Sequence, residues 1–203
     1  MAGSVTIHQI ELQSLETLAR FRRLVDGLSE AQLLWRPSPT SWSIAECLQH
    51  LNATLTAYRS PMRVTFERER QNAPLAPGVF RVGFIASKFA AFLDPPYRIR
   101  AKATAALSPP AALEPQPVLD EFARSHEEML DFALEASRVD MSSIRFAWPI
   151  ASILKLSLTE AFLIMLAHDR RHLWQGENVR HHPRFPAGDD ANFYHVAEKR
   201  SAS

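Results

Sequence analysis

One amphipathic stretch near the C-terminal end, residues 157–178, constrains this chain more than any other part of its sequence. Ser157 and Glu160 have the spacing of a capping box, in which a hydroxyl and a carboxylate bind backbone amides that the start of a helix leaves unpaired. From that start, apolar residues recur at spacings of three and four, and the same row continues with His168 and His172. The pattern predicts a helix with two histidines on its inward face.

The spacing of His168 and His172 is typical of a metal-binding pair. Four helical residues rise about 6 Å, so the two imidazoles lie on one face at a separation that a single ion can bridge. The same spacing also occurs by chance, with either histidine as a hydrogen-bonded core residue or a surface residue, so a third ligand must come from another element. Asp169, Arg170 and Arg171 are expected to point mostly away from the histidine face, and neither arginine is expected among the ligands.

Length and composition limit the classes of protein to which the chain can belong. It has 203 residues, of which 46% are hydrophobic and 22% charged, with a formal net charge of +1. These values predict one globular domain with a substantial core, and the small net charge argues against a nucleic-acid-binding protein. The single cysteine excludes an intramolecular disulfide. Because we find neither a signal-peptide core nor an apolar run of membrane-spanning length, we expect a soluble, cytoplasmic protein without a membrane partner.

Two further long helices are predicted in the first third of the chain. Apolar spacing indicates a helix over residues 5–28, and a short helical turn follows over residues 29–34. Ser43 and Glu46 then form a second capping box, which predicts a long helix over residues 44–70. This helix carries His50.

The third long helix is predicted to begin at Pro117 and to continue to about Leu134. Its apolar row includes His126, which we interpret as a core histidine bonded to a backbone or side-chain group, with a site residue as the alternative. The preceding residues 73–117 contain eight prolines around one short amphipathic segment at 79–93. We interpret them as a long crossover connection, and a lid over a site is the alternative.

Four long amphipathic segments without a convincing strand predict an all-α protein, a four-helix bundle with a long crossover between the second and third long helices. Residues 142–156 are interpreted as a connection. On this prediction, residues 1–178 form the bundle domain and residues 179–203 form a polar C-terminal tail, in which His181 and His182 are exposed.

Two motifs resemble those of a known superfamily. The first is a WxxxP loop that leads into SWSIAECLQHL and carries His50, and the second is AHDRRHLWQ with His168 and His172. Together they resemble the DinB/YfiT-like superfamily of four-helix bundles, over nearly the whole chain up to Gln175. The resemblance implies that His50, His168 and His172 are the three metal ligands and meet around one divalent ion.

The resemblance also limits the chemistry to expect. Relatives are described as metal-dependent hydrolases, thiol-dependent S-transferases and a thiol-dependent isomerase, and homodimers are frequent among them. We therefore expect a metal-dependent transferase or hydrolase that acts on a small-molecule substrate, with a low-molecular-weight thiol as a candidate cofactor. Three imidazoles suit Zn²⁺, Ni²⁺ or Fe²⁺ and leave a position for water or a thiolate. The alternatives are a non-catalytic module that the ion stabilises and a stress-response protein that binds a partner without turnover.

Two residues close to His50 are also candidates for the site. Glu46 lies one helical turn before His50, where a catalytic base is one interpretation, but its capping role explains it adequately. Cys47 is interpreted as a small buried apolar residue rather than a ligand or nucleophile, since free cysteines are often buried in cores.

Overall fold

The computed structural model describes residues 3–96, 104 and 107–188, together with the backbone of residues 193–194. The long helices are α1 (Ile7–Val25), α3 (Ile44–Glu69), α5 (Pro115–Ala136) and α6 (Leu158–Arg180). Two shorter helices are α2 (Glu30–Leu34) and α4 (Phe84–Leu93). The described part of the chain is therefore mostly helical, as the sequence predicts.

Hydrogen-bonded caps determine where the two histidine-bearing helices begin. The Ser43 hydroxyl accepts the amide of Glu46 at 3.2 Å, while the Glu46 carboxylate accepts the amide of Ser43 at 2.9 Å. Ser157 and Glu160 make the same reciprocal pair, at 3.2 and 2.7 Å. Both predicted capping boxes are confirmed. Each satisfies two backbone donors that the first turn of a helix cannot pair internally.

Helix α6 is the central element of the fold. It packs against α1, α3 and α4, while α5 packs against α1 and α3. The apolar core forms two clusters along this arrangement. The members of one include Met62, Phe66, Phe132, Trp148 and Phe162, and those of the other include Phe21, Leu48, Leu119, Phe122 and Leu173.

The charged residues between the two histidines of α6 are more buried than the sequence suggests. Asp169 and Arg171 are only 7% and 6% exposed. Asp169 lies against His126 of α5, and Arg171 lies over the ring of Phe92 of α4. The prediction left these side chains outside the interior because it did not place α4 on α6. With neighbours on several sides, α6 has no single polar face.

Three small antiparallel sheets correct the prediction of a chain without strands. Strands β4 (Arg145–Trp148) and β5 (Ala151–Ser157) form a hairpin within the segment that was interpreted as a plain connection. Strand β1 (Gly3–Val5) pairs with β3 (Phe80–Val82), and β2 (Leu28–Ser29) pairs with β6 (Phe193–Tyr194). In β4, buried and exposed residues alternate, and the indole of Trp148 donates a hydrogen bond to the hydroxyl of Tyr58 on α3. The hairpin is thereby attached to the core.

The connection between α3 and α5 carries its own structure. The amphipathic segment at 79–93 becomes β3 and α4, and α4 covers one side of α6. The basic stretch 97–106 lies outside the described residues except for Thr104. Helix α5 begins at Pro115 rather than at Pro117, so both prolines lie in its first turn, where a missing amide costs no helical hydrogen bond.

The chain after α6 packs against α2 and the loop that follows it. Helix α6 continues to Arg180, two residues beyond the predicted boundary. His181 is exposed as predicted, but His182 is half-buried and its ring centroid lies 5.4 Å from that of Trp35. Phe185 contacts the same indole, at 5.6 Å. Residues 181–185 are therefore held against the domain rather than extending freely into solvent.

Candidate metal centre

Three histidines from two helices converge beside the centre of the fold. His50 comes from α3, and His168 and His172 come from α6. Each offers one ring nitrogen, and these three nitrogens all lie within 4.8 Å of one another. Within the described residues, this is the one group of three or more histidine, cysteine or acidic side chains with such a spacing. The structure thus brings together all three residues that the sequence singled out.

The separation of two of these nitrogens fits a shared ion. Nε2 of His50 lies 3.2 Å from Nε2 of His168. Two nitrogens that each bind Zn²⁺ at about 2.0–2.1 Å with tetrahedral geometry lie about 3.3 Å apart. The two rings therefore need little rearrangement to bind one metal ion together.

Hydrogen bonds to the opposite ring nitrogens determine which nitrogen is free to bind a metal. Nδ1 of His50 lies 2.7 Å from the backbone carbonyl of Leu107, and Nδ1 of His172 lies 3.1 Å from the side-chain oxygen of Gln175. Because these oxygens only accept, each Nδ1 carries the proton and each Nε2 keeps its lone pair. Such acceptors behind the ring are typical of metal-binding histidines.

Burial keeps the three imidazoles neutral. It lowers the pKa of His168 to about 3, with smaller contributions from His50 and the Arg171 guanidinium. Burial likewise holds the pKa of His172 well below its ordinary value, and it lowers the pKa of His50 against the opposing effect of the bond to Leu107. Neutral imidazole is the form that binds metals, so burial holds all three rings in their metal-binding form. The residues present therefore fit a divalent metal ion.

An aromatic side chain that the sequence analysis did not single out lies beside the cluster. The ring centroid of Trp42 is 4.9 Å from that of His50 and 5.7 Å from that of His172. Trp42 directly precedes the Ser43 cap, so the hydrogen bonds that start α3 also hold its backbone next to the site. The sequence did contain a signal for this residue, because Trp42 stands one residue before the capping box of the helix that carries His50.

His126 lies outside the histidine cluster. Its Nδ1 is 2.9 Å from the carbonyl of Phe122, its Nε2 is 3.4 Å from a carboxylate oxygen of Asp169, and its ring stacks on that of Phe122 at 3.8 Å. The interpretation of His126 as a hydrogen-bonded core histidine is confirmed.

Glu46 and Cys47, the two candidates beside His50, have structural roles. Glu46 accepts the Ser43 amide and forms an ion pair with Arg36, whose Nε lies 2.7 Å from the carboxylate. Cys47 is fully buried, and burial raises the pKa of its thiol. Both observations agree with the sequence interpretation of Glu46 as a cap and Cys47 as a small apolar residue.

Comparisons with known proteins identify the family. None of the helices in the described residues has both the length and the apolar composition that crossing a membrane requires. Searches of curated proteins and of solved structures found no match. A family model described as the DinB superfamily matches residues 13–175, a span that contains all three clustered histidines. The chain therefore belongs to the DinB superfamily.

Proposed function

We propose that this protein binds one divalent metal ion through His50, His168 and His172, and that it is a metal-dependent enzyme of the S-transferase or hydrolase type. The observation that carries the proposal is the convergence of the three ring nitrogens, with two of the rings fixed from behind by acceptors. Zn²⁺, Ni²⁺ and Fe²⁺ suit such a set of neutral nitrogen ligands, whereas Mg²⁺ and Ca²⁺ prefer oxygen.

Three protein ligands support an open site rather than a closed one. Structural zinc sites usually have four protein ligands, and catalytic sites usually have three. His126, the natural candidate for a fourth ligand, is bonded instead to Phe122 and Asp169. An ion held here would supply a Lewis acid that lowers the pKa of a water molecule or thiol.

The protein's own groups would bind and orient the reactants. The carbonyl of Leu107 and the amide oxygen of Gln175 hold the His50 and His172 rings in fixed orientations. Trp42 gives the site an apolar wall against which a small organic substrate can pack. A low-molecular-weight thiol is the proposed cosubstrate if the reaction is a transfer. A non-catalytic metal-stabilised or stress-response module is the competing function.

We further propose that the four long helices form the four-helix bundle of the family, with the β3–α4 segment as part of the crossover. Residues 1–178 would be the bundle domain and residues 179–203 its C-terminal tail. A homodimer in the cytoplasm is proposed from the family resemblance and the composition. Size-exclusion chromatography with light scattering tests the dimer.

Metal analysis of the purified protein tests the central proposal. We expect one equivalent of ion per chain, and we expect His50→Ala and His172→Ala to lose it while His126→Ala retains it. The metal-loaded protein is then assayed with low-molecular-weight thiols and electrophiles. Unchanged metal affinity in His50→Ala would show that the histidine cluster is not the binding site.

A further inference from the structure

The six residues that follow α6, residues 181–186, lie against the connection between α2 and α3. We call them the strap. Two of their rings, those of His182 and Phe185, lie 5.4 and 5.6 Å from the ring of Trp35, which is the first residue of that connection. Phe185 also packs against the second core cluster. The strap is therefore attached both to the core and to the connection.

Two hydrogen bonds from this part of the chain add to the ring contacts. The guanidinium of Arg184 donates to the backbone carbonyl of Pro37 at 3.0 Å, and the side-chain amide of Gln32 on α2 donates to the carbonyl of Pro186 at 2.9 Å. The family model ends at residue 175, so the family assignment includes no role for the strap.

The connection itself, residues 35–43, is joined to the start of α3. Its middle part turns back on itself, with the amide of Ser41 donating to the carbonyl of Ser38 at 3.0 Å. Nε of Arg36, in its first part, lies 2.7 Å from the carboxylate of Glu46, which caps α3. A change in the first part of the connection is therefore expected to reach its last part.

The last part of the connection carries Trp42. The indole is half-buried, and its ring centroid lies 4.9 Å from that of His50 and 5.7 Å from that of His172. The strap holds the beginning of the connection, and the Ser43 cap holds its end. Both limit how far the indole can move away from the histidines.

We propose that the strap positions Trp42 beside the metal centre, and that the ligands this arrangement favours are small organic molecules with a flat, aromatic part. Such a ligand would bind the metal ion and pack on the indole at the same time, since aromatic rings attract one another in stacked and edge-to-face arrangements. The proposal rests on the proposed function, because it assumes a bound metal ion.

Ligand titration of the Co²⁺-loaded protein tests this role without an activity assay. Imidazole is the aromatic probe and azide is the small inorganic probe, and the visible absorption of Co²⁺ reports binding of either. The strap variant combines Arg184→Ala with Phe185→Ala. It should bind imidazole about two- to tenfold more weakly, because a contact between aromatic rings is lost, and bind Co²⁺ and azide as the wild type does.

A double-mutant cycle shows whether the strap acts through Trp42. Trp42→Ala should weaken imidazole binding as the strap variant does, and adding the strap substitutions to Trp42→Ala should cause no further loss. A general loosening of the fold would instead weaken binding in both backgrounds. Trp42 is not a member of either core cluster, so its replacement should leave the fold intact.

Arg180→Ala is the matched control. Arg180 also donates to backbone carbonyls, at 2.7 Å, but these belong to Arg23 and Leu24 at the end of α1. This variant should keep the wild-type affinity for imidazole even if its melting temperature falls.

The outcomes separate the two proposals. A wild-type protein that binds no Co²⁺ would overturn the proposed function and this inference with it. Normal Co²⁺ binding with equal imidazole affinity in the wild type and the strap variant would overturn this inference alone, and so would a strap effect that persists in Trp42→Ala. If the strap variant loses its helicity by circular dichroism, Arg184→Ala alone decides: a wild-type ratio of imidazole to azide affinity in that variant would also overturn the inference.

Discussion

Removing the metal ion should lower the melting temperature of this protein without unfolding it. An ion that binds only the folded chain stabilises it by about 2.7 kcal/mol at a hundredfold excess over Kd. For a domain of this size, each kcal/mol shifts the melting temperature by about 2–4 °C, so chelation should lower it by roughly 5–10 °C. Fully burying one large apolar side chain contributes about 1.5–3 kcal/mol. The two core clusters contain many such residues, so the fold should persist without the ion.

Thermal melts followed by circular dichroism measure this shift in three proteins. The wild type should melt higher with metal than with chelator. His172→Ala should keep its helicity but melt at the same temperature in both conditions, because a ligand is missing. His126→Ala is the control: it should melt lower in both conditions, because the ring stacked on Phe122 and bonded to Asp169 is lost, yet keep the metal-dependent shift.

Two results would refute this reasoning. A chelated wild type with the spectrum of a random coil would mean that the ion is structural, which would favour the non-catalytic module over the enzyme. A metal-dependent shift that survives in His172→Ala but disappears in His126→Ala would mean that the ion binds at His126 of α5, which lies against Asp169, and not at the histidine cluster.

Three further predictions follow from single residues. The unfolded chain binds a proton at His168 near pH 6.5, whereas the folded chain does so only near pH 3. The free energy of unfolding of the metal-free protein should therefore be highest above pH 6.5 and fall as the pH is lowered towards 3. Urea titrations across that range would measure it, and a free energy of unfolding that does not change with pH would contradict the burial of this ring. Gly83→Ala should destabilise the protein by about 1–3 kcal/mol in the same assay, because the new Cβ would lie 2.6 Å from Oε1 of Glu160, which accepts the Gly83 amide, while Oε2 of the same carboxylate caps α6. Cys47 should react with a maleimide only after denaturation, as mass spectrometry would show, because its buried thiol has a raised pKa; rapid labelling of the native protein would contradict this.

The parts of the structure that the sequence predicted are those determined by local signals. Capping boxes at Ser43 and Ser157 mark the first turns of α3 and α6, because a cap is formed by residues three positions apart. The candidate ligands were also found locally, since the pair on α6 shares one helical face. The assignment of His50 as their partner depended on the family resemblance, because periodicity alone does not determine which helices adjoin.

The features that the sequence analysis missed depend on contacts between distant segments. The burial of Asp169 and Arg171 could not be predicted from local sequence. It depends on contacts with His126 of α5 and Phe92 of α4, which come from distant parts of the chain. The β4–β5 hairpin is too short to produce a strong pattern. Its contacts with the core include the hydrogen bond from Trp148 to Tyr58, ninety residues away in the chain. The contact between His182 and Trp35 is likewise a long-range contact, made by a segment that the sequence analysis interpreted as a polar tail.

The hydrogen bond between His50 and the carbonyl of Leu107 joins a candidate ligand to the segment that precedes α5. A cation on Nε2 withdraws electron density from the ring and makes the Nδ1 proton a stronger donor, so occupancy of the site would tighten this bond. Linkage requires the reverse effect as well: whatever holds residue 107 in place raises the affinity for the ion by the same factor. The crossover and the metal centre would then be thermodynamically coupled, so that a change in the segment around residue 107 would change the affinity of the three histidines for the metal ion.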